Sequence, residues 1–127
     1  MKKAFLIIVF LFSISLNAQN ITWQNVNLNV PFENTQAVFN LIDGFYSNIK
    51  IPEGTRVSLW SIEYKGSSEK ATHVLNFAGT KENLVEFELR KLTSEWDAYI
   101  TRLNSLTNRD GFSVTAGVTL VRYNIDK

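Results

Sequence analysis

The sequence predicts one α+β domain in which a four-stranded antiparallel sheet carries two helices on one face. Three observations predict it. Apolar residues alternate in segments near both ends of the chain, and they recur every three or four positions in two further segments. Between those two segments lie two β-rich runs joined by a short polar loop. The implied order is β, α, β, β, α, β.

The chain opens with Met1, Lys2 and Lys3, an apolar run from Ala4 to Leu16, and then Asn17, Ala18 and Gln19. This is the charged, apolar and small-residue succession of a secretory signal peptide, and its two-lysine start resembles bacterial signals. The apolar run of 13 residues is shorter than the about 20 that a spanning helix needs. Cleavage after Ala18 is expected. Residues 1–18 are then the signal and residues 19–127 a single domain, exported to the periplasm or secreted, with no membrane span once the signal is gone.

Within that domain, Val26, Leu28 and Val30 alternate with Asn25, Asn27 and Asn29, the period of a strand over residues 22–30. Pro31 stops it, since proline has no donor for a continuing ladder. Asn34 or Thr35 then caps a helix in which Val38, Leu41, Ile42, Phe45 and Ile49 share a stripe. Ile51-Pro52-Glu53-Gly54 reads as a turn with proline second and glycine fourth. A strand over Thr55–Tyr64 puts Val57 and Leu59 on one side and Trp60, Ile62 and Tyr64 on the other. A polar loop containing Gly66 leads to a strand over Ala71–Ala78. The longest helix is expected from Lys81 to Leu106, with Val85, Leu89, Leu92, Trp96, Tyr99, Leu103 and Leu106 on its stripe. A turn over Asn108–Gly111 and an alternating strand over Phe112–Leu120 complete the chain.

In element order the mature chain resembles ferredoxin-like βαββαβ domains and, among them, the dimeric α+β barrel proteins, in which two sheets meet face to face around a pocket. The likeness spans nearly the whole mature chain but rests on no signature residues, so it implies a fold and not a function. It implies a homodimer. The group includes small monooxygenases, isomerases and haem enzymes, so it also implies room for a small organic ligand.

Composition removes several classes of function. The chain has 127 residues, no cysteine and one histidine, which excludes disulfides, thiolate metal sites and a cysteine nucleophile. Loss of Lys2 and Lys3 leaves 11 basic residues against 12 acidic, and the longest basic run after the signal is Arg90-Lys91, so no nucleic-acid surface is expected. No cofactor is expected, and no metal, because His73 lacks the companions that a coordination site requires.

Four sets of residues remain as candidates. His73, as the one imidazole, is the candidate general base, although Leu75 and Phe77 on the same face argue for a packed ring. Asn25, Asn27 and Asn29 form an amide row on a strand, where asparagine is depleted. With Ser113, Thr115 and Thr119 of the neighbouring strand they would make a polar face able to hydrogen-bond a ligand. Trp60, Ile62 and Tyr64, with Trp23 and Tyr123 as companions, form an aromatic row suited to an interface. Arg56, Glu63 and Arg122 are isolated strand charges that could orient a ligand or guard an edge. The carboxylates Glu82, Glu86, Glu88, Glu95 and Asp97 interleave with Lys81 and Arg102 on a solvated helix face. The function expected from this set is a non-enzymatic exported binding or interaction protein acting as a homodimer. The alternative is a small barrel-type enzyme with His73, Asn25, Asn27 or Tyr64 in its pocket. Convergence of His73 and the asparagine row on one cavity would separate the two.

Overall fold

The computed structural model describes residues 20–89 and 93–123. The expected signal peptide, the Arg90-Lys91 pair and Leu92 lie outside the described residues. No described helix is long and apolar enough to cross a membrane.

Four strands, β1 (Thr22–Asn29), β2 (Arg56–Ser61), β3 (His73–Gly79) and β4 (Asn108–Val118), form one sheet in the order β2-β3-β1-β4. All pairings are antiparallel. The first strand in sequence therefore sits at the centre of the sheet, between the third and the last. Register fixes the faces, because residues directly opposite one another point the same way. Val26 lies opposite Leu75 and Val114, and Leu75 lies opposite Leu59. Their neighbours in sequence, Asn25, Asn76, Ser58 and Thr115, occupy the reverse face.

Three described α-helices, α1 (Thr35–Ser47), α2 (Lys81–Leu89) and α3 (Ser94–Leu106), belong to the Val26 face. α1 buries Val38, Ile42 and Tyr46 at spacings of four. Asn34 does not cap α1 with its side chain. A short 3₁₀ turn, Phe32–Asn34, precedes the helix, and the Asn34 amide instead donates to the Leu106 carbonyl at 3.0 Å, tying the start of α1 to the end of α3. The core joins Leu28, Val38, Ile42, Leu75, Phe77, Phe87 and Leu103. The Phe45 ring stacks on Tyr99 at 4.2 Å, and Phe77 meets Phe87 at 5.8 Å.

The single helix expected over Lys81–Leu106 is two helices. Thr93 is extended (φ −130°, ψ 157°), and its hydroxyl accepts from the Trp96 N–H at 3.2 Å, which makes it the N-cap of α3, with Glu95 and Asp97 in the first turn. Burial gives the reason for the break. Phe87 is 2% exposed, whereas Val85 and Leu89, the expected stripe, are exposed. A helix that buries position 87 turns 85 and 89 outward, so one continuous stripe cannot serve both halves.

Three smaller boundaries also shift. The turn after α1 falls one residue later than expected: Thr55 N–H donates to the Pro52 carbonyl, and Gly54 takes φ +78°, the third-position requirement of a type II turn. β2 ends at Ser61, three residues short of Tyr64. Residues 108–111, expected as a turn, already belong to β4. There the register slips, with Asn27 opposite Ser113 but Asn29 opposite Asn108, and Gly111 at φ +93° supplies the kink. A Cβ on Gly111 would lie 2.8 Å from that of Lys70, so no other residue fits.

Candidate functional site

The open face of the sheet carries the densest set of chemically distinctive residues. Ile21, Trp23, Asn25, Arg56, Ser58, Trp60, Asn76 and Arg122 surround a cavity of about 490 Å³ there. Strand alternation puts them together: odd positions of β1 and even positions of β2 and β3 share this face. Trp60 is half-exposed on β2, toward one edge of the sheet. Trp23, on β1, lies across β3 from it and leans onto β4, where its cross-strand partner is Gly117. The indole fills the space that a side chain at 117 would take, since a Cβ there would lie 2.6 Å from Trp23 Cζ2.

The asparagine row is explained by the strands that flank it. Asn76 Nδ2 donates to Asn25 Oδ1 at 2.6 Å, Asn27 Nδ2 to Ser113 Oγ at 2.8 Å, and Asn29 Nδ2 to the Asp110 carbonyl at 2.8 Å. β1 is thus linked by side chains to β3 on one side and to β4 on the other. Lys70 and Asp110 form an ion pair near the last of these links. Asparagine tolerates the strand because each amide reaches a cross-strand partner in place of its own backbone. Asn76 is buried on this otherwise uncovered face, so the Asn25–Asn76 pair forms the floor of the cavity.

Of the aromatic row expected on β2, Trp60 lies on the cavity and the other two members leave the strand. Ile62 still donates its N–H to the Thr72 carbonyl, whereas Tyr64 is 96% exposed in the loop. Trp23 and Arg122, remote from Trp60 in sequence, complete the cavity instead.

His73 is on the opposite face. It lies across from Leu28 and Ser61 at the end of β3, shares a 2.8 Å hydrogen bond with Thr72 Oγ1, and borders a shallow recess with Thr35, Phe39 and Leu59. Burial holds its pKa below the ordinary 6.5. His73 and the asparagine row therefore do not converge, and no carboxylate lines the His73 recess. Among the described residues no group of three or more His, Asp or Glu side chains could hold a metal ion.

A second concavity, about 530 Å³, opens on the helical side between α3 and the β1–β4 edge. It exists because α3 leaves β4 uncovered, so that Phe112, Val114 and Val118 stay half-exposed. Val26, Leu75, Trp96 and Ile100 line it, together with Tyr46 and Tyr99, whose buried hydroxyls have only each other as hydrogen-bonding neighbours among the described residues. Burial raises both phenol pKa values, that of Tyr99 to about 12. Neither phenol stands out in the sequence, where Tyr99 reads as a stripe residue of its helix and Tyr46 lies outside the expected stripe.

No family model and no curated protein matches the chain. Solved structures do resemble it. A conserved protein from Methanosarcina mazei Go1 superposes with a TM-score of 0.57 at 9% identity, over 78% of this chain and 92% of that one. A conserved protein from Bacteroides thetaiotaomicron described as a possible oxidoreductase gives 0.55 at 12% identity, over 80% and 100%. SnoaB, a cofactor-independent oxygenase from Streptomyces nogalater, gives 0.50 at 16% identity, over 87% and 100%. At these identities the likeness concerns the fold alone. With the observed strand order it bears out the ferredoxin-like α+β fold expected from the element order, with three described helices where two were expected.

Proposed function

We propose that this chain is an exported, non-enzymatic binding protein that works as a homodimer, with the open faces of two sheets meeting around a small organic molecule. The observation that carries the reading is the cavity between Trp23 and Trp60, floored by the Asn25–Asn76 pair, on the sheet face that no helix covers. Tryptophans flanking a polar floor supply apolar contact and orienting hydrogen bonds, the composition of a small-molecule site. A second sheet laid on this face would cover both indoles and convert the open concavity into an enclosed one. The ordinary basis for acid–base or nucleophilic work is missing at this cavity, whose described lining contains no histidine or carboxylate. Light scattering of the purified protein over a range of concentrations tests the dimer. A mass of two chains that persists on dilution, and falls to one chain in Trp60→Asp, supports the reading; a monomer at every concentration overturns it.

One observation favours an enzyme as the second reading. The Tyr46 and Tyr99 hydroxyls are buried in the wall of the helical-side concavity with no partner but each other among the described residues, and incompletely satisfied buried polar groups are costly enough to suggest a use. The named oxygenase and possible oxidoreductase among the structural neighbours suggest an oxidation. Oxygen uptake by the protein with a panel of polycyclic phenols, lost in Tyr46→Phe or Tyr99→Phe, would support this reading. No uptake with any of them would remove it.

A further inference from the structure

We infer that the open-face cavity is selective for a planar aromatic carboxylate. The inference rests on the binding reading above and names the chemistry of its ligand. Arg56, on β2, and Arg122, beyond the end of β4, both border the cavity, and no acidic residue does. Neither guanidinium has an ion-pair or hydrogen-bond partner among the described residues, although the domain has as many acidic residues as basic ones to within one or two. Two uncompensated arginines converge on one concavity from opposite edges of the sheet, β2 and β4. Guanidinium groups present paired N–H donors that match the two oxygens of a carboxylate.

The rest of the lining selects the remainder of the molecule. Trp23 and Trp60 offer aromatic surface for a flat ring system, and Gly117 leaves the Trp23 indole its place against β4. The Asn25–Asn76 hydrogen bond uses one amide N–H and one amide carbonyl, so that whichever way the two amides are oriented, an NH₂ group and a carbonyl oxygen remain for a polar substituent. The volume of about 490 Å³ falls within the range of ordinary small-molecule sites. A purely inorganic anion would leave both indoles unused, and a neutral sugar would leave both arginines unpaired.

Calorimetric titration of the purified protein with 2-naphthoate, its neutral isostere 2-naphthamide, and inorganic phosphate tests the inference. Naphthoate should bind at least about tenfold more tightly than the amide, the worth of one charge-assisted contact. Arg56→Gln and Arg122→Gln should each weaken binding of naphthoate by a larger factor than binding of the amide. Equal affinity for acid and amide, or no heat with either, overturns the inference without requiring any variant to fold. Phosphate that binds as tightly as naphthoate overturns its aromatic half. Light scattering on the same samples separates this result from the dimer reading. A monomer that prefers naphthoate upholds the ligand class and overturns the dimer; a dimer indifferent to both ligands does the reverse.

Discussion

The two faces of the sheet are built from the same strands by opposite rules. On the helical face, Leu28, Leu75 and Phe77 are buried and make contacts that any apolar residue of the right volume could make. On the open face, the same strands carry Asn25, Asn27, Asn76, Trp23, Trp60 and Arg56, whose contacts are directional: an amide pair, an amide–hydroxyl pair, an indole laid on a glycine. The helical face stabilises the fold through area removed from water. The open face carries residues poorly suited to strands and leaves the Trp60 indole half in solvent, which stability alone does not require. The difference is the reason the proposed ligand site is placed on the face that contributes less to folding.

Truncating each face in turn is the most direct way to break that comparison. Phe77→Ala, in the core against Tyr46 and Phe87, should cost about 3–5 kcal/mol of stability in urea titration. Trp60→Ala should cost about 1 kcal/mol or less. A loss at Trp60 as large as that at Phe77 would mean that the open face is itself core. Gly117→Ala forces a Cβ to within 2.6 Å of the Trp23 ring. It should cost about 1–3 kcal/mol and shift the tryptophan fluorescence as the indole is displaced; an unchanged spectrum would show that the ring does not rest there.

The phenols sharpen the comparison from the helical side. Tyr46→Phe removes a buried hydroxyl whose one hydrogen-bonding neighbour is the Tyr99 phenol, so stability should change by no more than about 1 kcal/mol; a larger loss would show that the two phenols hold each other in a full hydrogen bond. The same burial sets a pH dependence. With the Tyr99 phenol pushed from 10 to about 12, the folded state holds the proton more tightly than the unfolded one. Stability should be intact below pH 10 and fall as pH rises toward 12, with a shallower fall in Tyr99→Phe. The smallest effect belongs to His73. Its pKa is lowered by burial, so the unfolded chain takes up the proton first and stability falls slightly as pH drops below the ordinary 6.5. His73→Gln should flatten that slope and leave ligand binding unchanged.

How much of this was legible in the sequence depended on whether the signal was local. The strand alternation of Val26 and Leu28 against Asn25 and Asn27, and the spacing of Val38, Ile42 and Tyr46, are consequences of backbone period and predict their elements directly. The break at Thr93 was present as a cap followed by Glu95 and Asp97. It was masked by the accident that Val85 and Leu89 fall in phase with Trp96 and Tyr99, and only burial of Phe87 reveals that the phase is false. The cavity was half legible. Trp60 and the amides were recognisable on their own strands. That Trp23, Arg56 and Arg122 join them depends on cross-strand register and on where β4 ends, neither of which any short stretch of sequence encodes. The expected row of Trp60, Ile62 and Tyr64 failed for the same reason, since strand alternation was extended past the point where β3 stops pairing.

The central place of β1 also governs the order in which the molecule can form. Its ladder with β4 joins residues such as Asn27 and Ser113, 86 positions apart, and contacts so distant close slowly. The earliest strand to be synthesised cannot be enclosed on both edges until almost the last residue has been made. The β1–β3 and β2–β3 ladders need only the first 79 residues, so the β4 edge of β1 is the part of the sheet that stays open longest.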